Sequence, residues 1–124
     1  MNKYAKTLFE LVKSSIDHNS KALAKRLARV SGAKSRPAVR QRLESQIRET
    51  LEQQTWDLLC LFDNVGCRLP NDVLGYRILA SPTRKRGHQV THGRPADIRN
   101  GNDDYSDMWL SFCSARADKR SHDT

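Results

Sequence analysis

Cysteine, long apolar runs and acid in the N-terminal third are all scarce in this chain, and each scarcity excludes something. The cysteines are three, Cys60, Cys67 and Cys113. An odd number in a small chain does not build a secreted disulfide framework. Two of them lie in apolar surroundings, "LLCLF" and "SFCSA", where a free thiol serves as a small core residue. No run approaches the roughly 20 apolar residues of a membrane span, and Glu10 and Lys13 interrupt what would be the apolar region of a signal peptide. The expectation is a reducing, cytoplasmic setting without a membrane partner. No Gly-x-Ser-x-Gly elbow, Walker-type loop or dinucleotide fingerprint occurs, so neither a cofactor nor an enzymatic activity is expected. There is no internal repeat.

What the chain does have is positive charge. Its 124 residues suit one domain, and 37% hydrophobic against 29% charged residues give a thin core. Lys plus Arg number 22 and Asp plus Glu 14, a net charge of +8, which attracts polyanions: nucleic acid, an anionic membrane surface or an acidic protein. The distribution is uneven. Residues 1–50 hold 12 basic and 4 acidic side chains, 51–81 hold 2 and 4, 82–100 hold 5 and 1, and 101–124 hold 3 and 5. Two basic zones therefore flank an apolar middle.

Hydrophobic spacing predicts the elements. Tyr4, Leu8, Leu11 and Val12 define a helix over 3–17, with Lys3, Lys6, Glu10 and Lys13 off its apolar stripe. "DHNS" (17–20) is expected to end it, with Asn19 or Ser20 capping a second helix over 21–31 that points Leu23, Leu27 and Val30 inward. Gly32 is the expected stop. Pro37 suits the first turn of a third helix reaching to about Asn64, with Glu44 and Arg48 as a favourable pair. Trp56 and Leu58 to Phe62 are apolar on every face, so Leu58, Leu61 and Phe62 are expected to be buried. Trp56 points away from the stripe of Leu43 and Ile47, which implies either a break near 53–55 or a second layer. Residues 69–80 read as a short helix, with "GYRIL" open to being a strand. Residues 81–104 read as a long basic loop, and a last short helix is to be capped by Asp104 or Ser106. The expected fold is thus all-α: a bundle of four or five helices over 1–117, with the loop before the last helix and a frayed tail at 118–124. The all-round apolar segment also suggests a homodimer through Trp56.

The residues that point to a function are the cations. Lys21, Lys25, Arg26 and Arg29 lie opposite the stripe of the second helix, and Lys34, Arg36, Arg40 and Arg42 crowd the turn and the start of the third. Between residues 20 and 42 there is no acid. Helix, glycine-containing turn, helix is the outline of a helix-turn-helix, although the turn from Ser31 to Arg36 is longer than the tight version. The alternative is a cationic face that merely keeps a bundle solvated. In "SPTRKRGHQVTHGRP" (81–95), Arg84, Lys85 and Arg86 would follow a phosphate backbone as an accessory arm.

His88 and His92 have zinc-helix spacing, but Gly87, Gly93 and Pro95 do not suit a helix, which leaves them weak metal candidates. His18 and His122 are isolated. Residues 87–120 faintly resemble a ββα-metal (HNH) nuclease element: a His-containing hairpin, a Gly/Asn/Asp loop and a basic helix. Asp107 stands in place of that pattern's central Asn, and the flanking Cys pairs are missing. The favoured expectation is a non-enzymatic regulator or accessory factor that binds DNA or RNA. Its rivals are an inhibitor or adaptor docking on an acidic protein surface and, further off, a degenerate nuclease.

Overall fold

A computed structural model describes residues 1–32, 36–63, 76–81, 95–99 and 103–122, with only the backbone of 117–122. Where two helices were expected at the N-terminus there is one, α1 (Lys3–Val30). Asn2 caps it, its side chain accepting from the Ala5 N–H at 2.9 Å. The polar run at 17–20 does not break it because Asp17, Asn19 and Ser20 find partners without leaving helical geometry. The Ser20 hydroxyl donates to the Ile16 carbonyl at 2.6 Å, the Asn19 amide reaches the Ser15 hydroxyl at 3.4 Å, and Asp17 pairs with Lys13 and Arg48. Hydroxyl and amide bonds four residues back replace the capping that the sequence suggested. The helix ends as expected, with Gly32 at φ 75°, a left-handed turn where glycine carries no Cβ penalty.

α2 (Pro37–Asp63) begins on the expected proline and runs unbroken. Three pairings set its relation to α1. Lys13 meets Glu52, Asp17 meets Arg48 at 3.0 Å, and Lys21 and Lys25 share a groove with Arg40 and Glu44. One partner advances by four as the other retreats by four, so the helices are antiparallel. Each extends about 40 Å at 1.5 Å per residue. This long hairpin corrects the helix-turn-helix reading, which needs short helices crossed at a steep angle.

The remaining elements close over one end of the hairpin. β1 (Leu79–Ala80) pairs antiparallel with β2 (Ala96–Asp97), Leu79 opposite Asp97 and Ala80 opposite Ala96. Of the strand reading of "GYRIL" only Leu79 lies in β1, and 76–80 are not helical. β2 and buried Ile98 also fall inside the stretch expected to be loop throughout. α3 (Tyr105–His122) continues past Asp118, where the tail was expected to begin. The protein is mostly helical, with three helices and one two-stranded sheet among the described residues.

The core lies at this closed end: Ala5, Phe9 and Ile16 of α1, Leu59 of α2, Ile98, and Tyr105, Met108, Trp109 and Phe112 of α3. Phe9 meets Trp109 edge-on at 5.4 Å, and Trp109 stacks on Phe112 at 5.8 Å. Trp56 packs against this cluster, so the second layer it called for is supplied within the chain. Two inward assignments are corrected. In α2, Leu59 and Cys60 are buried, whereas Leu58 and Leu61 are exposed. In the second half of α1 the buried line is Ser20, Ala24 and Ala28, and Leu23, Leu27 and Val30 are exposed. Small residues there form the seam with α2.

Two polar devices join the parts. Asp63, at the end of α2, accepts from the backbone N–H groups of Tyr105 and Ser106 at 2.9 and 2.8 Å and from the Ser106 hydroxyl at 2.7 Å. It performs the capping expected of Asp104 or Ser106 from more than forty residues away. In mid-hairpin, Lys13 is buried on the inner face rather than off the stripe. It heads a chain of ion pairs through Glu52 and Asp17 to Arg48 and Glu44.

Candidate nucleic-acid interface

The open end of the hairpin, away from the aromatic core, carries the basic zone. Lys21, Lys25, Arg26 and Arg29 stand exposed on α1, and Arg36, Arg40 and Arg42 stand exposed at the start of α2. Among the described residues none of these seven makes a salt bridge. The reason lies in the sequence and the register together. The acids nearest the tip are Asp17 and Glu44, and both are engaged by Arg48 at 3.0 Å. Between Asp17 and Glu44 the sequence itself holds no acid, so among the described residues the tip has little local counter-charge.

Lys21 and Lys25, one helical turn apart, flank an open groove of about 430 Å³ whose other wall is Pro37, Arg40, Gln41 and Glu44. Ala24 forms part of its floor and keeps the helices close. So the structure brings Lys21, Lys25 and Arg40 together across two elements, a relation that spacing within one helix does not reveal. Arg26, Arg29 and Arg42 lie outside this groove. Arg36 precedes α2, and its carbonyl accepts from the N–H groups of Val39 and Arg40 at 3.2 and 3.3 Å, which fixes the start of the helix. Lys34, Arg84, Lys85, Arg86, His88 and His92 lie outside the described residues.

The described part of the nuclease-like stretch has the order strand, strand, helix. Where the helix faces the strands, however, it offers Tyr105. The Tyr105 hydroxyl donates to Asp97 Oδ1 at 2.7 Å and accepts from the Ile78 N–H at 2.9 Å. Arg99 closes the arrangement, pairing with Asp97 at 3.3 Å and covering the Tyr105 ring at 5.0 Å. Burial alone would raise the Asp97 pKa. The hydrogen bonds from the Arg99 N–H, Tyr105 and the Arg99 guanidinium outweigh it and hold the carboxyl below its ordinary value. Tyr105 is shifted up, by burial first. The cluster is a structural clasp between the sheet and α3. No group of three His, Cys, Asp or Glu side chains suited to a metal ion occurs among the described residues. Burial raises the pKa of both Cys60 and Cys113, which keeps these thiols protonated and poor nucleophiles. No helix among the described residues is long and apolar enough to cross a membrane.

No protein-family model, curated protein or solved structure matches the chain.

Proposed function

We propose that the protein is a small non-enzymatic accessory factor or regulator that binds nucleic acid through the open end of its α1–α2 hairpin. One observation carries the reading: seven exposed cations of α1, α2 and the residue before α2 crowd one end of the molecule, and none of them makes a salt bridge among the described residues. Cations used only for solvation are usually interspersed with acids, which lowers their mutual repulsion. A polyanion supplies the missing counter-charge, and the release of its condensed counterions drives association. Lys21, Lys25 and Arg40 form the central contact. Arg26, Arg29, Arg36 and Arg42 extend it, and Lys34 with the Arg84–Arg86 segment belongs to the same proposal. Phosphate contacts of this kind bind DNA and RNA alike. A cytoplasmic setting is part of the proposal, as is a homodimer, its contact moved from Trp56 to the exposed Leu58 and Leu61.

The test is fluorescence anisotropy with a labelled 20-bp DNA duplex and the matching RNA, from 50 to 200 mM KCl. Each phosphate contact contributes a slope of about −0.7 to −0.9 in log affinity against log salt. The combined change Lys21→Ala, Lys25→Ala and Arg40→Ala is expected to flatten that slope by roughly 2 to 3. Absence of binding to both probes at 50 mM, or binding indifferent to salt, overturns the proposal.

A further inference from the structure

In the open half of the hairpin, side-chain size is inverted. The inner line of α1 is Ser20, Ala24 and Ala28, while the larger Leu23, Leu27 and Val30 are 40%, 43% and 86% exposed. Positions i, i+4 and i+7 share one helix face, so these three form a single apolar strip. The strip lies apart from the cationic groove, whose α1 wall is Lys21, Ala24 and Lys25. A self-sufficient hairpin would turn its large aliphatic residues into the seam and its alanines outward. We propose that the strip of Leu23, Leu27 and Val30 docks an acidic amphipathic helix of a partner protein, a surface independent of the nucleic-acid reading.

Charge selects this occupant. Arg26 lies within a turn of all three strip residues, Arg29 adjoins Val30, and from His18 to Leu43 the chain has no acid. A second copy presenting the same strip would bring these cations against their own kind, which costs binding energy. Nucleic acid offers a solvated phosphate edge to the strip and leaves its aliphatic groups unmatched. A helix with Leu-type anchors at i, i+3 or i+4 and i+7, flanked by Asp and Glu, satisfies both features: the anchors cover the strip and the carboxylates meet Arg26 and Arg29.

The probe is a labelled 18-residue peptide with leucines on that period and Glu elsewhere on the flanks. A control peptide has the same composition with the leucines moved off the period. The full chain is expected to bind the first peptide about tenfold more tightly than the control. The double change Leu23→Ser and Leu27→Ser should reduce that binding about tenfold and Val30→Ser about threefold, since a deleted aliphatic contact is worth on the order of one such factor. Duplex DNA binding by both variants should stay within about twofold of the wild type. Val30 is the more exposed residue, so its single change tests the strip even where the double change disturbs the hairpin. Equal binding of the two peptides would reduce the contact to charge alone and overturn the proposal. So would unchanged peptide affinity in the variants. A wild-type dimer that the serine changes convert to monomer would assign the strip to a second copy instead. None of these results bears on DNA binding, which the salt series tests separately.

Discussion

Replacing Asp63 by Ala removes the contact that starts α3. The carboxylate holds two backbone N–H groups and a hydroxyl, all within 2.9 Å, and both Tyr105 and Ser106 are buried. Loss of an N-cap alone costs about 1–2 kcal/mol. A negative charge at a helix N-terminus adds about 0.3–1 kcal/mol, and leaving buried donors without partners costs about 1–3 kcal/mol. These contributions overlap, so the expected loss for Asp63→Ala is about 2–4 kcal/mol, a large part of the stability of a domain this size. Asp63→Asn keeps one acceptor and loses the charge, and should cost about 1–2 kcal/mol. Urea unfolding followed by the fluorescence of the tryptophans, one of which is Trp109 in the core, measures both. Asp104→Ala is the control, because local capping would make Asp104 the stronger site. A loss below about 0.5 kcal/mol for Asp63→Ala, or a larger loss for Asp104→Ala, refutes capping from α2.

The two tryptophans should respond differently to phenylalanine. Trp109 donates its indole N–H to the Glu52 carbonyl at 3.3 Å, whereas the buried Trp56 indole N–H has no partner among the described residues. Trp109→Phe is expected to lose about 2 kcal/mol or more and Trp56→Phe under about 1 kcal/mol, because the latter also removes an unsatisfied donor. Equal losses in urea melts would contradict this. Asp97 has a depressed pKa in the folded chain, so its contribution is present above its unfolded pKa of about 3.9 and fades as pH falls through the lower folded value. Asp97→Asn should flatten the stability–pH curve below about pH 4, and an unaltered acid limb in pH-dependent melts would count against the clasp. Leu61→Glu should convert a dimer to a monomer by light scattering, and a wild-type chain that is monomeric at high concentration removes the homodimer.

Local chemistry was legible where one stretch of sequence determines the outcome. Pro37 at the start of α2, Gly32 after α1 and the Glu44–Arg48 pair follow from their neighbours alone. What escaped was decided by partners distant in sequence. The run 17–20 has cap residues, yet Arg48 on α2 engages Asp17 and the Ser20 hydroxyl bonds back along α1. Lys13 is charged like a surface residue, and its burial rests on pairing with Asp17 on its own helix and with Glu52, thirty-nine positions on. Leu23 and Leu27 form an apolar stripe by period, but the inner face was set by how closely α2 approaches, which favours Ala24 and Ala28. The cations of the tip were found by counting. The convergence of Lys21, Lys25 and Arg40 on one groove depended on the antiparallel register, which no single helix encodes.

That register also separates the aromatic core from the cationic tip along the molecule. The aromatic core and the Asp63 cap secure the closed end, and the ion pairs of Lys13, Glu52, Asp17, Arg48 and Glu44 mark where the core gives way to the stalk. Beyond them the hairpin is joined by a seam of small residues that contributes little hydrophobic energy, because burial energy scales with apolar area. On this thin stalk the cations repel one another and oppose close packing of the helices. The tip therefore carries repulsion of an electrostatic kind that the proposed polyanion would relieve. Binding to the folded state alone stabilises it by about 2.7 kcal/mol at a ligand concentration of 100 Kd, and salt, which screens both the repulsion and the attraction, diminishes the effect. The stabilisation is thus coupled to the tip rather than to the core, and the variant lacking Lys21, Lys25 and Arg40 should be less destabilised by low salt than the wild type while gaining less from DNA.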